Sequence, residues 1–541
     1  MKKATPHYLY WSIAMLKPYR IELIIFLLLE LGGIFFSLSF VYWSKKAVDY
    51  AIHGGPNTVE HALIFTGVSI ILGIIAQLIS NWTNEKMRAS MLIELQNGIM
   101  HRQLLATWQV IKRWHTGDIQ VRIHSDCNEI VQMIGYSVWN FMLTSIKLLA
   151  SFAFLWFLDP KLAILILAIS PLVALSKLYF RRYRKLTQEL KQADSEFGHV
   201  VQENLRFRMS IKALGLHPLR WQKLETVQDT IYHLKLKLLN FSTFSLTIMK
   251  TTVNAGFLFT FFWGVLQLQA HLISFGTLTA YLQLVSRIQG PVLQLIGFAP
   301  AFIRFRTAVE RLQELEKEEV EKIDRFMVIP HPQSLVLENI SFNYDDIKIL
   351  NSFNAIFRKD EPTAIIGPSG RGKTTVIRII LSLLKINSGV AYILTKDEKI
   401  KLSPEHRINF GYVPQGDKLF SGTIRENLYS SDKHFTEQDI SYALDTACAG
   451  FVYELPLGLE TIIGESGYGL SEGQAQRIAI ARALLRDCSF YLFDEVTSAL
   501  DLQTAGILMD RLIQFGKDKI LIFVTHDLNL TERCTQRIFI S

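Results

Sequence analysis

Cysteine is scarce in this sequence, with only four among 541 residues, at Cys127, Cys448, Cys488 and Cys534. None stands in a CxxC spacing or beside paired histidines, which argues against a zinc site and a disulfide framework. Charged residues are also few, at 20% of the chain, whereas 49% of the residues are hydrophobic. This composition excludes a disordered or collagen-like chain and predicts surface that is embedded in a membrane.

The net charge of +8 is distributed unevenly along the chain. Residues 1–333 carry +12 and residues 334–541 carry −4. We interpret the basic excess as membrane topology, because no basic patch interleaved with aromatic residues accompanies it and no nucleic-acid partner is expected. The sequence therefore predicts a membrane domain followed by a soluble domain.

Six segments are apolar and long enough to cross a bilayer, for which a helix needs roughly 20 residues. They are residues 21–43, 63–82, 134–158, 162–180, 241–268 and 273–303. The connections 83–133 and 181–240 are long and rich in Lys and Arg, so the positive-inside rule places them and both termini in the cytoplasm. Because plain loops of this length are rare, we expect these connections to be helical extensions of the spans.

The composition changes after the last predicted span. A charged helix is followed by a connector that contains Pro330 and Pro332, and β-rich runs then alternate with helical ones. This alternation is typical of an α/β domain. The sequence therefore predicts a membrane domain over residues 1–322, a linker over 323–335 and an α/β domain over 336–541.

A predicted strand at residues 364–366 leads into a glycine-rich run that matches GxxxxGK[ST]. The run and the residue after it are Gly367, Pro368, Ser369, Gly370, Arg371, Gly372, Lys373, Thr374 and Thr375. The backbone of such a loop wraps a phosphate, and the N-terminus of the following helix points at the negative charge. We expect Lys373 to reach the β- and γ-phosphates of a nucleotide and the Thr374 hydroxyl to bind Mg²⁺.

A second apolar strand, residues 490–493, ends in the acidic pair Asp494 and Glu495. A buried parallel strand that delivers a carboxylate beside a phosphate loop is the arrangement that binds Mg²⁺ in P-loop NTPases. We expect Asp494 to hold the metal and Glu495 to polarise the attacking water.

Between these motifs lies the run Leu470, Ser471, Glu472, Gly473 and Gln474, which resembles the signature sequence of ATP-binding-cassette (ABC) proteins. The whole chain resembles a half-transporter of the ABC exporter family. The resemblance implies an α-helical membrane domain of six transmembrane helices with long cytoplasmic extensions, followed by an α/β P-loop ATPase domain of the ABC type.

Four further residues match functional positions of that family. The resemblance implies that Tyr344 stacks on adenine, that Gln415 senses Mg²⁺ and the γ-phosphate, that Asp501 lies in a loop crossing to the other subunit and that His526 contacts the γ-phosphate. It further implies that residues 116–119 and 205–207 belong to the helices that touch the ATPase domain.

The sequence departs from the family pattern at two places. Glu472 stands where the family usually has glycine, so its charge either weakens the site or points into solvent, and we favour the second alternative. Only 15 residues follow His526, so the resemblance predicts an ATPase domain that is short at its C-terminus.

In this family the phosphate loop of one subunit faces the signature of another, so the resemblance implies a dimer with ATP and Mg²⁺ at composite sites. The predicted function is ATP-driven export, by a homodimer in a bacterial inner membrane with the ATPase domain in the cytoplasm. Two alternatives remain open. In the first, the chain is one half of a heterodimer, with Glu472 in a weakened site. In the second, it is a non-transporting regulator or channel gated by ATP.

Four ionisable residues lie deep inside predicted spans: Glu30, Lys147, Lys250 and Arg287. Such residues are costly in a membrane and usually face the bundle interior or water. One interpretation is that they pair structurally, for instance Glu30 with a cation, or extend to the interface. The other is that Lys250 and Arg287 line the cavity and favour an anionic group on the substrate.

Overall fold

The computed structural model of the chain divides into two compact units. It describes residues 11, 14–54, 56–114, 116–169, 176–296, 298–345, 347–368, 370–416, 419–429, 435–464, 469–527 and 531–540. Unit 1 combines Met1–His101 with Thr116–Lys317, and unit 2 combines Arg102–His115 with Glu318–Ser541. The expected helical domain followed by an α/β domain is confirmed, but no sequence pattern indicates that Arg102–His115 belongs with the second unit.

Unit 1 is built of helices, several of them much longer than an ordinary globular helix. The helices described before residue 318 are α1 (Arg20–His53), α2 (Pro56–Leu104), α3 (Trp108–Arg113), α4 (Thr116–Leu158), α5 (Pro160–Ile169), α6 (Ser176–Arg206), α7 (Arg208–Ala213), α8 (His217–Gln269), α9 (Phe275–Ile296) and α10 (Phe298–Lys317). Of these, α3 belongs to unit 2.

Four helical segments among the described residues are apolar and long enough to cross a membrane. They are Ala14–Ile52, Thr58–Leu104, Thr116–Leu158 and His217–Gln269, and they contain the first, second, third and fifth predicted spans. The fourth prediction, 162–180, includes residues 170–175, which lie outside the described residues. The sixth, 273–303, is divided between α9 and α10 around residue 297, which is also outside them.

The long connections between spans are helical, as expected. With 53 residues, α8 is about 80 Å long, far more than the roughly 30 Å of a bilayer core. Its polar part packs against α6 through a small apolar cluster of Ala193, Val200, Val227 and Ile231. The membrane helices therefore continue well beyond the thickness of a bilayer.

Unit 2 is an α/β fold with one parallel sheet, one antiparallel sheet and a short antiparallel pair of strands. Its strands are β1 (Ser334–Tyr344), β2 (Ile347–Arg358), β3 (Thr363–Ile366), β4 (Ser388–Leu394), β5 (Lys399–Lys401), β6 (Phe410–Val413), β7 (Gly422–Thr423), β8 (Ile462–Ile463), β9 (Phe490–Asp494), β10 (Ile520–Thr525) and β11 (Gln536–Phe539). Its remaining α-helices are α11 (Lys373–Ile380), α12 (Ile424–Leu428), α13 (Glu437–Thr446), α14 (Glu472–Leu485) and α15 (Leu502–Phe515).

The larger sheet has the strand order β11-β3-β10-β9-β6, and all its pairings are parallel. The antiparallel sheet has the order β2-β1-β4-β5. Along β9 every residue is buried. Phe490 and Leu492 belong to one core cluster, whereas Tyr491 and Phe493 belong to the other. The continuous apolar run therefore arises because the parallel sheet is covered on both faces.

Candidate nucleotide site

The sequence motifs converge at the carboxyl edge of the parallel sheet. Because β3, β10, β9 and β6 are parallel neighbours, their carboxyl ends meet at one edge. Gly367 follows β3, His526 follows β10, Asp494 ends β9 with Glu495 next, and Gln415 comes two residues after β6. Ligands of open α/β sheets bind outside the carboxyl ends of such strands. Residues that are up to 159 positions apart in the sequence are thus assembled into one site.

The phosphate loop between β3 and α11 needs glycine for two physical reasons. Gly370 and Gly372 have φ angles of +81° and +100°, in the left-handed region that glycine tolerates best. At Gly367, a Cβ atom would lie 2.5 Å from the carbonyl oxygen of Ile540. Pro368 and Arg371 are exposed on the loop, and Ser369 lies outside the described residues.

Lys373 is buried at the first position of α11, and its ammonium group lies inside the loop. The ammonium donates hydrogen bonds to the carbonyl oxygens of Gly367 at 2.8 Å and Pro368 at 3.1 Å. The next two residues of the helix are Thr374, half-buried, and Thr375, buried. The first turn of the helix therefore concentrates unpaired N–H groups and one fixed positive charge at the loop, which is a suitable site for a polyphosphate.

Asp494 is fully buried at the end of β9, and neither carboxylate oxygen has a hydrogen-bond partner of standard geometry among the described residues. Burial raises the pKa of its carboxyl group to about 6, and the charge of Glu495 acts in the same direction. The Thr374 hydroxyl and the Lys373 ammonium lower it. A buried, unpartnered carboxylate is costly in a folded protein unless a cation binds it.

Glu495 carries the main polar contacts of the site. The amide of Gln415 donates a hydrogen bond to one of its carboxylate oxygens, and Nδ1 of His526 lies 3.8 Å from the other. The φ angle of Glu495 is +52°, which is uncommon for a residue other than glycine. Strained backbone of this kind clusters at functional sites. The structure therefore brings together the three residues predicted as catalytic.

Neighbouring groups fix the backbone of Glu495 in this conformation. Its N–H donates to the carbonyl oxygen of Val524 at 2.9 Å. Its own carbonyl oxygen accepts from the side chains of Gln476 and Ser498, both at 2.9 Å. The Glu495 backbone is thus held by α14, by β10 and by the loop that follows β9, which the sequence motif alone does not indicate.

The signature run lies at the N-terminus of α14. Ser471 caps the helix, because its hydroxyl accepts from the N–H of Gln474 and the Gln474 side chain accepts from the N–H of Ser471. A Cβ atom at Gly473 would lie 2.7 Å from the carbonyl oxygen of Ala499. The signature therefore lies against the loop that carries Asp501.

Asp501 has a local role in the fold. It caps α15 through a 2.9 Å hydrogen bond from the N–H of Thr504, and this bond holds the pKa of its carboxyl group below the usual range. The cap positions the loop beside the signature, whereas the predicted contact of this loop with another subunit stays a prediction. Leu470 is half-buried and packs on the core beneath α14.

Tyr344, at the end of β1, is surrounded by groups that the sequence did not single out. Arg378 donates a 3.2 Å hydrogen bond to its hydroxyl group, and the ring packs edge-on against Phe342. The ammonium of Lys112 lies 4.8 Å from the centre of the Tyr344 ring, and the Arg378 guanidinium lies 4.5 Å from that of Trp108. Cations over aromatic faces are attractive contacts.

One short helix that lies in the sequence between two long helices belongs to unit 2 through these contacts. It is α3, and Ala106 just before it forms a bridge with Val320. Residues 116–119 belong to unit 1, where Asp118 binds Arg311 at 3.0 Å, and the contact of residues 116–119 and 205–207 with the ATPase domain stays a prediction. A tryptophan in a basic segment was the available signal for α3, but its partners are more than 200 residues away in the sequence.

Glu472 is exposed at the first position of α14 in the single chain, and whether it faces solvent or the phosphates at a partner's site stays a prediction. We expect Glu472→Gly to leave the kcat of ATP hydrolysis unchanged or higher and to lower the KM for ATP by up to about fivefold, because a carboxylate at a phosphate-facing helix end is removed. Steady-state ATPase assays would measure both constants. Glu472→Gln, which keeps the side chain without its charge, is the control, and a large loss in both variants would show that the carboxylate has a positive role.

Comparison with known proteins agrees with this geometry. The family model of the ABC transporter transmembrane region matches residues 23–292, and that of the ABC transporter matches residues 350–498. Relatives from Staphylococcus aureus strains NCTC 8325 and COL, named as multidrug export ATP-binding/permease proteins, are 26% identical over 540 residues. The match covers 96% of this chain and 92% of each relative.

The fold is similar to that of a solved bacterial ABC exporter of the Atm1 family with ATP bound. The TM-score is 0.78 at 22% sequence identity, over 96% of this chain and 93% of that chain. The two family models together match about three quarters of the sequence. The chain therefore belongs to the ABC transporter family, as an ATP-hydrolysing exporter that carries its membrane domain and its ATPase domain in one polypeptide.

Proposed function

We propose that this exporter is a homodimer of a bacterial inner membrane, with the ATPase domain in the cytoplasm and two identical sites that hydrolyse ATP with Mg²⁺. Exporters of this family work as dimers, and their membrane domains lie in the lipid bilayer. The convergence of Lys373, Asp494, Glu495, Gln415 and His526 at one sheet edge carries the proposal. The lysine- and arginine-rich connections between spans support the cytoplasmic location.

The residues present fit a magnesium ion. Mg²⁺ prefers oxygen ligands in octahedral geometry, usually one or two carboxylates with a hydroxyl and waters. The unpartnered Asp494 carboxylate, the Thr374 hydroxyl and the Gln415 side chain supply such ligands. When bound, the ion would neutralise charge on the β- and γ-phosphates.

The remaining residues divide the hydrolysis between them. Lys373 and the loop of residues 367–375 hold the phosphates, while Tyr344 supplies an aromatic surface for adenine. Glu495 would accept a hydrogen bond from the attacking water and polarise it, and contacts with Gln415 and His526 hold the Glu495 carboxylate at the carboxyl edge of the sheet. Catalysis of this kind rests on positioning and on electrostatic stabilisation.

The second half of each site comes from the other copy of the chain. Ser471 caps α14, so the helix N-terminus and the backbone around Gly473 and Gln474 can face the phosphates of ATP bound to a partner. Asp501 holds the neighbouring loop at the same contact. Since each chain carries one phosphate loop and one signature, two copies complete two equivalent sites.

Export follows if ATP binds more tightly when the two ATPase domains are closed together. A ligand shifts an equilibrium only by its differential affinity for the two states, so ATP binding favours the closed state and hydrolysis resets it. Helix α3 belongs to unit 2 and comes just before the long helix α4 in the sequence. Its Lys112 ammonium lies over the Tyr344 ring, and the Arg378 guanidinium lies over the ring of its Trp108. Occupancy of the adenine site is thereby transmitted to a segment that continues into the membrane helices.

Reconstitution of the purified chain alone tests this proposal. We expect particles with two copies of the chain, ATP hydrolysis that requires Mg²⁺, and ATP-dependent accumulation of at least one dye from a panel of cationic, neutral and anionic dyes in inside-out vesicles. Hydrolysis only after a different half-transporter is added would indicate a heterodimer. Dye movement that ATP gates but never drives uphill would indicate a channel or regulator.

A further inference from the structure

A cavity of about 610 Å³ lies within unit 1 among helices α1, α2, α4 and α9. Its size is in the range of small-molecule sites, roughly 300–1,000 Å³. Along α2 it is lined from Ser69 to Glu85, a length of about 24 Å on a helix. All of its lining residues belong to unit 1.

Three of the four ionisable residues found inside the spans line this cavity: Glu30, Lys147 and Arg287. The fourth, Lys250, is exposed on α8 and does not line it, so the prediction that Lys250 and Arg287 share the cavity is wrong for Lys250. Lys147 of α4 takes its place, because it lines the cavity together with Arg287 of α9, and sequence reasoning did not identify this pair.

The charges in the cavity are unbalanced. The Glu30 carboxylate accepts a 2.6 Å hydrogen bond from the Ser80 hydroxyl. Lys147 interacts electrostatically with both Glu30 and Arg287. Within the part of the chain that the structure describes, neither Lys147 nor Arg287 forms a hydrogen bond or an ion pair, and the Arg287 guanidinium lies 5.8 Å from the centre of the Phe40 ring.

One further carboxylate does not restore the balance. Glu85 also lines the cavity, but it binds Arg88 at 2.6 Å. Two half-buried cations therefore face one carboxylate at a depth where unpaired charge is costly. An anion placed between Lys147 and Arg287 would relieve both this cost and their mutual repulsion.

Polar side chains surround these cations in an ordered way, because each helix contributes residues spaced three, four or seven apart and hence on one face. These residues are Glu30 and Ser37 on α1, Gln77, Asn81 and Asn84 on α2, Asn140, Thr144 and Lys147 on α4, and Arg287 and Gln294 on α9. The Thr144 hydroxyl links α4 to α9 through a 3.5 Å contact with Gln294. Between the polar faces lie aromatic and aliphatic groups, including Phe26, Phe36 and Ile74.

We propose that this cavity binds an amphipathic organic anion as export substrate, with a carboxylate or phosphate held between Lys147 and Arg287 and an apolar part along Phe26, Phe36 and Ile74. The inference rests on the proposed export function. Amide and hydroxyl groups donate further hydrogen bonds to the anion, and the aromatic side chains contact the apolar part of the ligand. If the cations had only a structural role, we would expect Lys147 and Arg287 each to form an ion pair with a carboxylate. Glu30 and Glu85 do not form such pairs, because they bind Ser80 and Arg88.

A matched pair of fluorescent probes tests the charge preference. N-dansyl-phenylalanine carries a carboxylate, and N-dansyl-phenylalanine amide is its neutral counterpart. With the wild-type dimer in phosphatidylcholine nanodiscs without ATP, we expect fluorescence titration to give a Kd for the acid that is about 10- to 100-fold lower than for the amide, as for a charge-assisted contact.

The double variant Lys147→Gln/Arg287→Gln should raise the Kd for the acid at least about tenfold and leave that for the amide unchanged. The charge-preserving variant Lys147→Arg/Arg287→Lys should keep the preference for the acid. Lys250→Gln, which removes a lysine outside the cavity, is the matched control and should behave as wild type. If the double Gln variant does not assemble, Lys147→Gln and Arg287→Gln are tested singly. Each should lose part of the difference in Kd between the acid and the amide.

Equal binding of acid and amide by the wild type, or a preference for the acid that survives the double Gln variant, would overturn the inference. Adding phosphatidylglycerol to the nanodiscs separates two sources of the anion. Competition with the acid would indicate a lipid headgroup, and its absence a soluble anion. Because binding is measured without ATP, a negative result here together with ATP-driven dye accumulation would reject the anion site and leave the proposed export function standing.

Discussion

Replacing Lys373 with alanine is expected to abolish ATP hydrolysis, with a loss of at least about 100-fold in kcat/KM, the scale seen when one preorganised electrostatic donor is removed. The Lys373 ammonium is the cation that lies within the phosphate loop, where it is held by the carbonyl oxygens of Gly367 and Pro368. Its loss removes the positive charge that offsets the phosphates, while the loop keeps its glycine conformations at Gly370 and Gly372.

This variant should still insert into the membrane and form dimers, because Lys373 lies in unit 2, whereas the predicted spans lie in unit 1. Purified Lys373→Ala protein would be assayed for ATPase activity, nucleotide binding and dye accumulation. Lys385→Ala is the matched control, since Lys385 is an exposed lysine of the same unit. Hydrolysis at a normal rate by Lys373→Ala would reject the assignment of the phosphate loop.

Much of the fold could be predicted because it depends on local patterns. The apolar run at 490–493 indicates a strand buried on both faces, and the structure divides its residues between two cores. The glycine pattern of the phosphate loop likewise reflects φ angles that a neighbouring strand and helix impose. Such features are encoded within a few residues of where they act.

The features that sequence reasoning missed all depend on distant parts of the chain. Trp108 and Lys112 meet Arg378 and Tyr344 only because the chain between two long helices packs on the α/β unit. The choice between Lys147 and Lys250 as a cavity residue depends on how the helices rotate against each other, and a helix that is apolar all around gives no period from which to infer this.

The positive φ angle of Glu495 is a further feature that no local pattern reveals. It turns the carboxylate out of the strand direction of β9, away from buried Asp494 and toward Gln415 and His526. Two adjacent acids therefore have different surroundings, because Asp494 remains in the core and Glu495 contacts Gln415 and His526. This difference is the structural basis for the effect that we expect of the Glu495→Gln substitution.

Glu495→Gln should retain ATP binding but lower kcat by at least about 100-fold, because the attacking water loses the carboxylate that polarises it. Glutamine has nearly the same shape, so the backbone contacts with Val524, Gln476 and Ser498 should persist. With hydrolysis blocked, the reset step fails and ATP should hold the two ATPase domains closed. Cysteine cross-linking or pulsed-EPR distances between the domains, with ATP and Mg²⁺, would measure the closed population.

Asp494→Asn separates the two acids experimentally. This variant loses the buried carboxylate proposed for Mg²⁺, so it should weaken the binding of ATP in the presence of Mg²⁺ as well as hydrolysis, and the ATPase domains should not stay closed. Glu495→Gln should instead bind ATP with nearly the wild-type Kd. Each substitution removes one negative charge. Because the two residues are adjacent, a general disturbance of the edge of β9 would affect both variants alike. Near wild-type turnover by Glu495→Gln would require another residue to polarise the water, and the contacts of Gln415 and His526 with this carboxylate would then have a structural role only.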